Sequence, residues 1–360
     1  MRFTRLKLSC WRNFPSAQVT LGERALIFGP NGAGKSNLLD ALRFLSEVAS
    51  PGGGLWNAAQ RRDPRTLPSM QGSGGDVKVE VEAEIGGEAW GYGLAFQVDK
   101  QGVPRVRAEM VRQGRRKLLR RPEAEDRREP GRLAQTHLEQ SSTGGAFEPL
   151  LEGLRSVRSV AGPLAAGGFT RALLATPRRP RETRMRRVLE LLRGALPRLD
   201  RWSLDHDEQG VPRFALRMDR GRLATWHPEG LLSASTMHLL HLLWEASDER
   251  GPLLLEEPER GLHPELVGQL LALLKGVAPR AGRQLLICTH AERLLDDSDV
   301  APSEILLLHP SAEGTRVESA AEDTQVRSVA AEEGPIGPLI AARTGASVEG
   351  QIPLFFGGTP

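Results

Sequence analysis

Cysteine is nearly absent: Cys10 and Cys288 are the two in 360 residues, too few for a disulfide framework or a thiolate-held metal cluster. Both sit in strand-like runs and read as buried thiols. Long apolar runs are missing too, and none approaches the ~18–20 residues that a membrane span requires. The opening Met1-Arg2-Phe3-Thr4-Arg5-Leu6-Lys7-Leu8 alternates polar and apolar residues as a strand does, unlike a secretory signal. These absences predict a reducing, cytoplasmic setting and no membrane partner. An overall charge excess is lacking, at +3, but the charge is uneven: residues 105–201 carry 23 Lys or Arg against 11 Asp or Glu. Such a block can be a polyanion footprint. It has a second reading, because 42 of the 48 basic residues are arginine, a bias that a GC-rich genome spreads over any surface. No aromatic residue interleaves the arginines of 105–132, so stacking on bases is not expected there.

What is present centres on Phe28-Gly29-Pro30-Asn31-Gly32-Ala33-Gly34-Lys35-Ser36. The apolar run Ala25–Phe28 before it reads as a buried strand. Leu38, Leu42 and Leu45 after it mark one face of a helix. Strand, glycine loop and helix are the context in which G-x-x-x-x-G-K-S binds phosphate. The glycines let successive N–H groups point at phosphate oxygens, and the helix N-terminus adds partial positive charge. Asn31, Gly32, Ala33, Gly34, Lys35, Ser36 and Asn37 are therefore the expected nucleotide contacts. Lys35 reaches the β- and γ-phosphates and Ser36 ligates Mg²⁺.

The length allows one large domain or two smaller ones. Residues 1–28 read as two or three strands turned at Asn13-Phe14-Pro15-Ser16. The stretch 50–75 is rich in Gly, Pro and Arg and reads as a loop or a poorly ordered segment. From Asp76 to Val98 the residues alternate around Gly86-Gly87, an antiparallel hairpin. Gln101-Gly102-Val103-Pro104-Arg105 recurs as Gln209-Gly210-Val211-Pro212-Arg213, two turns of one chemistry. Residues 120–132 read as loop, and Arg186–Leu196 as a short amphipathic helix. An apolar helix is expected over 235–244, strands over 252–255, 284–288 and 304–308, and a helix starting at Pro264. Alternating helices and continuously apolar strands predict a parallel sheet. The residues beyond 311 read as a last turn or strand and then loose chain.

The strand Leu253-Leu254-Leu255 ends in Glu256-Glu257-Pro258. One carboxylate there suits Mg²⁺ and its water, the role of Glu256, where Asp is more usual. The next, Glu257, suits a general base or water orienter for γ-phosphoryl transfer. His290 follows the strand 284–288 and Thr289, where an imidazole can contact a γ-phosphate.

Together these residues resemble the ABC-type ATPase superfamily, in the branch of SMC, RecF and OLD-type ATPases. The loop 28–36 looks like that branch's Walker A. Glu256-Glu257-Pro258-Glu259-Arg260-Gly261-Leu262-His263-Pro264 resembles the Walker B and D-loop run of OLD-like stand-alone ATPases, and Cys288-Thr289-His290 the switch histidine. The resemblance covers about 1–100 and 202–340. It implies a signature motif whose Ser and Gly grip a partner subunit's γ-phosphate. Leu232-Ser233-Ala234-Ser235-Thr236 fills that place, with Ser where Gly is expected, so Ser233 and Ser235 are the implied contacts. Gln71 is the candidate Q-loop ligand for the metal.

The expected fold is α/β, a P-loop ABC-type ATPase head with a mixed parallel sheet, an antiparallel β lobe and an Arg-rich insert, mainly helix and loop. The expected division is 1–104, N-terminal lobe; 105–201, basic insert; 202–340, C-terminal lobe; 341–360, tail. The resemblance implies ATP and Mg²⁺ as ligands and a homodimer, or a higher homo-oligomer, that closes on ATP. It further implies a role in DNA repair or phage defence beside a separate effector protein, with DNA or RNA held by the insert. A non-hydrolysing ATP-dependent scaffold and a transporter's nucleotide-binding subunit are the alternatives. The residues after Leu308 are too few for a nuclease domain of ordinary size.

Overall fold

Strict alternation makes sheet of the N-terminal region. In the computed structural model, which describes residues 1–69, 75–140, 145–162, 165, 167–219, 224–278 and 282–345, the first strands are β1 (Arg2–Trp11), β2 (Phe14–Thr20), β3 (Arg24–Phe28), β4 (Val77–Ile85), β5 (Glu88–Val98), β6 (Pro104–Gln113) and β7 (Arg116–Arg121). All but β3 form one antiparallel sheet in the order β2-β1-β4-β5-β6-β7. Its inner face buries Phe3, Leu6, Leu8, Val79, Val81, Tyr92 and Leu94. Against it lies α1 (Lys35–Ala49), whose Phe44 ring sits 5.3 Å from Trp11 and 5.5 Å from Phe96. The helices α2 (Gly54–Gln60), α3 (Ala124–Arg128), α4 (His137–Gln140) and α5 (Glu148–Arg155) complete this part.

The chain divides into two compact units, Met1–Val157 with Gln284–Pro360, and Arg158–Arg283. In the second unit β8 (Arg158–Ala161) is followed by α6 (Gly168–Leu174) and α7 (Arg178–Ala195). Next come β9 (Leu199–His206), β10 (Pro212–Asp219), β11 (Ala224–Pro228), α8 (Ala234–Ala246), β12 (Leu253–Glu256) and α9 (Pro264–Val277). β9, β10 and β11 make a small antiparallel sheet, while β12 runs parallel to β8. On returning to the first unit the chain forms β13 (Leu285–Thr289), α10 (Glu292–Leu295), β14 (Ile305–Ser311), β15 (Gly314–Ser319), α11 (Thr324–Ala331) and α12 (Gly337–Thr344). β3 pairs in parallel with β13 and with β14. Both of its faces are covered, which is why Ala25–Phe28 is apolar without a break. No helix among the described residues is long and apolar enough to cross a membrane.

Several expectations change. Within 50–75 the chain forms α2, because Leu55, Ala58 and Ala59 find a buried place despite the surrounding glycines. β6 and β7 carry the antiparallel sheet into the Arg-rich stretch, where helix and loop were expected. Within 120–132, Arg121 and Asp126 are a buried ion pair at 2.7 Å. α7 begins at Arg178, eight residues before the helix read from the sequence, since its outer arginines dilute the apolar period of Met185, Val188, Leu189 and Leu192. Beyond 311, where loose chain was expected, β15 is followed by the helices α11 and α12. Cys288 is buried, but Cys10 is half-buried at a positive φ of 53°.

Candidate functional site

The loop after β3 is built by close approach. A Cβ on Gly29 would lie 3.0 Å from the Leu308 carbonyl oxygen, and one on Gly34, at φ +93°, would lie 2.0 Å from Asn13 Nδ2. Gly32, at φ +79°, would meet nothing within 4 Å and is exposed. Lys35 is 6% exposed, and its Nζ donates to the carbonyls of Gly29 (2.7 Å) and Pro30 (3.0 Å). The ammonium is thus folded back into the loop it follows. Asn31 and Ser36 are exposed and Ala33 is buried. The first turn of α1 contains no acidic residue, so nothing there offsets the positive end of the helix. The Cys288 thiol donates to the Lys35 carbonyl at 3.0 Å from beneath.

A polar clamp that sequence reasoning missed holds this loop. Asn13 Nδ2 donates to the Ala33 carbonyl (3.0 Å) and to Thr315 Oγ1 (2.8 Å), and Thr315 Oγ1 donates to the same carbonyl at 2.9 Å. Asn37 Nδ2 donates to Asn13 Oδ1 (2.7 Å), Arg12 reaches Asn37 Oδ1 (3.2 Å) and Asp40 (2.9 Å), and Trp11 Nε1 donates to the Asn37 carbonyl at 2.8 Å. The Asn37 carboxamide therefore braces the loop from the side of Arg12 and Asn13. The one sequence signal was a polar dipeptide, Arg12-Asn13 after Trp11, in a tight turn. His290 leaves β13 beside the loop's own strand, since Thr289 pairs with Phe28, and it is exposed. Gln71 lies outside the described residues.

In the second unit Leu253, Leu254 and Leu255 are fully buried, and the chain emerges at Glu256 and Glu257, both half-buried. Glu257 has φ +47°. A side chain held in that left-handed region costs about 1–2 kcal/mol, and such strain gathers where a chain must aim a functional group. The turn that follows is closed by Arg260 N–H to the Glu257 carbonyl and Leu262 N–H to the Glu259 carbonyl, each 3.0 Å. His263 caps α9, with Pro264 in its first turn. Ser233 caps α8: its Oγ accepts from the Thr236 N–H (3.2 Å), donates to Thr236 Oγ1 (2.8 Å) and lies 3.2 Å from Ser235 Oγ. Three hydroxyls thus ring a helix mouth whose first turn has no acidic residue. Of the residues expected from the sequence, Asn31–Asn37 and His290 fall in the first unit, and Ser233, Ser235, Glu256 and Glu257 in the second.

A family model described as "AAA domain, putative AbiEii toxin, Type IV TA system" matches residues 24–296. The chain belongs to this family. A second model, an AAA domain, matches residues 1–46. The DNA replication and repair protein RecF of Rhizobium johnstonii is 37% identical over 94 residues, 24% of either chain. That of Agrobacterium fabrum is 37% identical over 92 residues, 25% of this chain and 23% of its own. The chain thus spans about a quarter of the length of the curated relatives it matches. Among solved structures, the SMC head domain from Thermotoga maritima superposes with a TM-score of 0.50 at 17% identity, covering 89% of this chain and 99% of that one. An SMC head bound to the C-winged helix domain of ScpA gives 0.52 at 14%, covering 89% and 98%. The mixed α/β fold is that of the SMC head domains, and the partial matches resemble the SMC/RecF branch of ABC-type ATPases.

Proposed function

We propose that the chain binds ATP with Mg²⁺ at Gly29–Ser36, hydrolyses it, and cycles between an ATP-closed and an open homodimer. The observation that carries this reading is the loop itself: a buried Lys35 tethered to Gly29 and Pro30, an exposed Ser36 and a helix mouth free of acidic residues. A triphosphate offers Lys35 charged oxygens in place of the two carbonyls. These residues fit Mg²⁺ as well, which prefers one or two protein ligands plus phosphates and water to a cage of carboxylates. When bound, the ion would neutralise phosphate charge, and Ser36 and Glu256 are the residues that would hold it. Glu257 accepts the proton of the attacking water, and His290 donates to the γ-phosphate. The Ser233–Thr236 hydroxyls and N–H groups of one protomer receive the γ-phosphate held by its partner's Lys35.

The cycle serves a nucleic-acid-related process, DNA repair or phage defence, through a separate effector protein. The RecF relatives and the toxin–antitoxin wording of the family description support that class. The SMC head with its ScpA domain is the precedent for a bound partner. Ser235 at the position expected to be Gly favours a second reading, an ATP-gated scaffold with slow turnover. Phosphate release decides between them. The wild type turns ATP over, Lys35→Ala does not bind it, and Glu257→Gln binds it but is slower by about 10²–10⁴-fold. Sized with ATP and with ADP, Glu257→Gln is a dimer only with ATP. Equal mass in both refutes nucleotide-gated closure, and wild-type turnover by Glu257→Gln refutes its assignment as the base.

A further inference from the structure

α8 begins at the hydroxyl cluster and carries His238 five residues past its cap. His238 is 3% exposed, and its Nε2 lies 3.0 Å from the carbonyl oxygen of Pro258, the residue after Glu257. A carbonyl can only accept, so the imidazole donates through Nε2–H. Nδ1 has no hydrogen-bond partner among the described residues, as a neutral ring protonated on Nε2 requires. Burial favours that neutral form by lowering the imidazole's pKa. Pro258 is itself buried. The left-handed Glu257 is therefore followed directly by a carbonyl pinned to the helix that presents Ser233, Ser235 and Thr236.

We infer that His238 is a positioning residue: its bond to the Pro258 carbonyl fixes the turn that aims Glu257 and ties that turn to the mouth of α8. The inference rests on the ATPase reading above and adds a coupling to it. In a dimer the mouth of α8 faces the partner's nucleotide, whereas Glu257 serves the protomer's own. A shift of α8 on meeting the partner's γ-phosphate then moves the Pro258 carbonyl, and with it the carboxylate. Each site reports its occupancy to the other through one imidazole.

Three variants of the full chain test this. His238→Leu removes the donor at similar volume, and His238→Gln restores an N–H at the Nε2 position. His241→Leu is the packing control: His241 is equally internal on α8, 8% exposed, and its ring faces Glu245 of its own helix at 3.9 Å rather than the turn. Loss of a buried hydrogen bond with its acceptor left behind is worth about tenfold or more in an equilibrium. His238→Leu should lower kcat about tenfold with KM for ATP changed less than about twofold, His238→Gln should recover most of the loss, and His241→Leu should stay within about twofold of wild type. Hydrogen exchange on the nucleotide-free protein gives a second readout. The Arg260 and Leu262 amides, which close the turn, should exchange faster in His238→Leu and as wild type in His238→Gln. Unchanged exchange in His238→Leu overturns the inference, as does equal loss of kcat in all three variants. If the wild type shows no Lys35-dependent turnover, the ATPase reading fails on its own, and the exchange comparison still decides whether His238 pins the turn.

Discussion

Replacing Glu257 by glycine should do opposite things to stability and to catalysis. At φ +47° the residue sits where an L side chain is strained, about 1–2 kcal/mol above its relaxed backbone. Glycine removes that strain but gains freedom in the unfolded chain, a cost of about 0.5–1 kcal/mol. Glu257→Ala removes the same carboxylate and the same side-chain contacts while leaving the backbone strained. The difference between the two variants therefore isolates the turn. Glycine should be the more stable by about 1 kcal/mol, or about 4 °C in the melting of the second unit. Both should lose turnover by about 10²-fold or more. Thermal melts by circular dichroism beside phosphate release read the two quantities on one preparation. An alanine variant as stable as the glycine variant would refute the argument that strain is stored there for function.

Arg121→Met should destabilise the first unit by about 3–5 kcal/mol in urea unfolding, because it strands buried Glu109 and leaves Asp126 only the more distant Arg132, at 3.9 Å. In the wild type the Arg121 guanidinium holds Asp126 down to about 2 from 3.8, so its contribution is complete above pH 3.8 and is lost as pH falls through about 2. A variant that melts like wild type at pH 7 would show that the pair is spectator charge. Nucleic acid, on the proposed reading, should bind the exposed Arg115, Arg116, Lys117 and Arg120 about the β6–β7 hairpin through phosphates. With one phosphate neutralised by each of these four residues, log K should fall against log salt with a slope of about −4, and a salt-independent affinity would rule that contact out.

The parts of the fold that were legible in sequence are those whose cause is local. Ala25–Phe28 and Leu253–Leu255 are buried on both faces, so they are apolar without a break, and the glycine loop between β3 and α1 announces its own backbone. α7 was half visible because a helix outlined by arginine looks like solvated chain until its inner face is known. Of the clamp only the polar turn at Arg12-Asn13 was visible. Asn13 meets Thr315 across 302 residues, and a single Thr in a hairpin carries no signal of what it faces. His238 is similar: within a leucine-rich helix it reads as core, and only the path of the chain twenty residues later brings the Pro258 carbonyl to it.

The same clamp bears on how the protein is made. β3 carries the phosphate loop, yet both of its sheet neighbours, β13 and β14, follow the second unit in the sequence, and the Ala33 carbonyl receives Thr315 from 282 residues downstream. At about 5–20 residues per second, roughly a quarter of a minute to a minute passes on the ribosome between the synthesis of the loop and that of its last brace. Through that interval both edges of an apolar strand stand unpaired, the kind of template on which nascent chains stick to one another. The antiparallel sheet, whose strands all precede residue 122, can form first. Nucleotide thus meets a finished loop only once nearly all of the described chain has been translated, which keeps half-made molecules out of the proposed cycle.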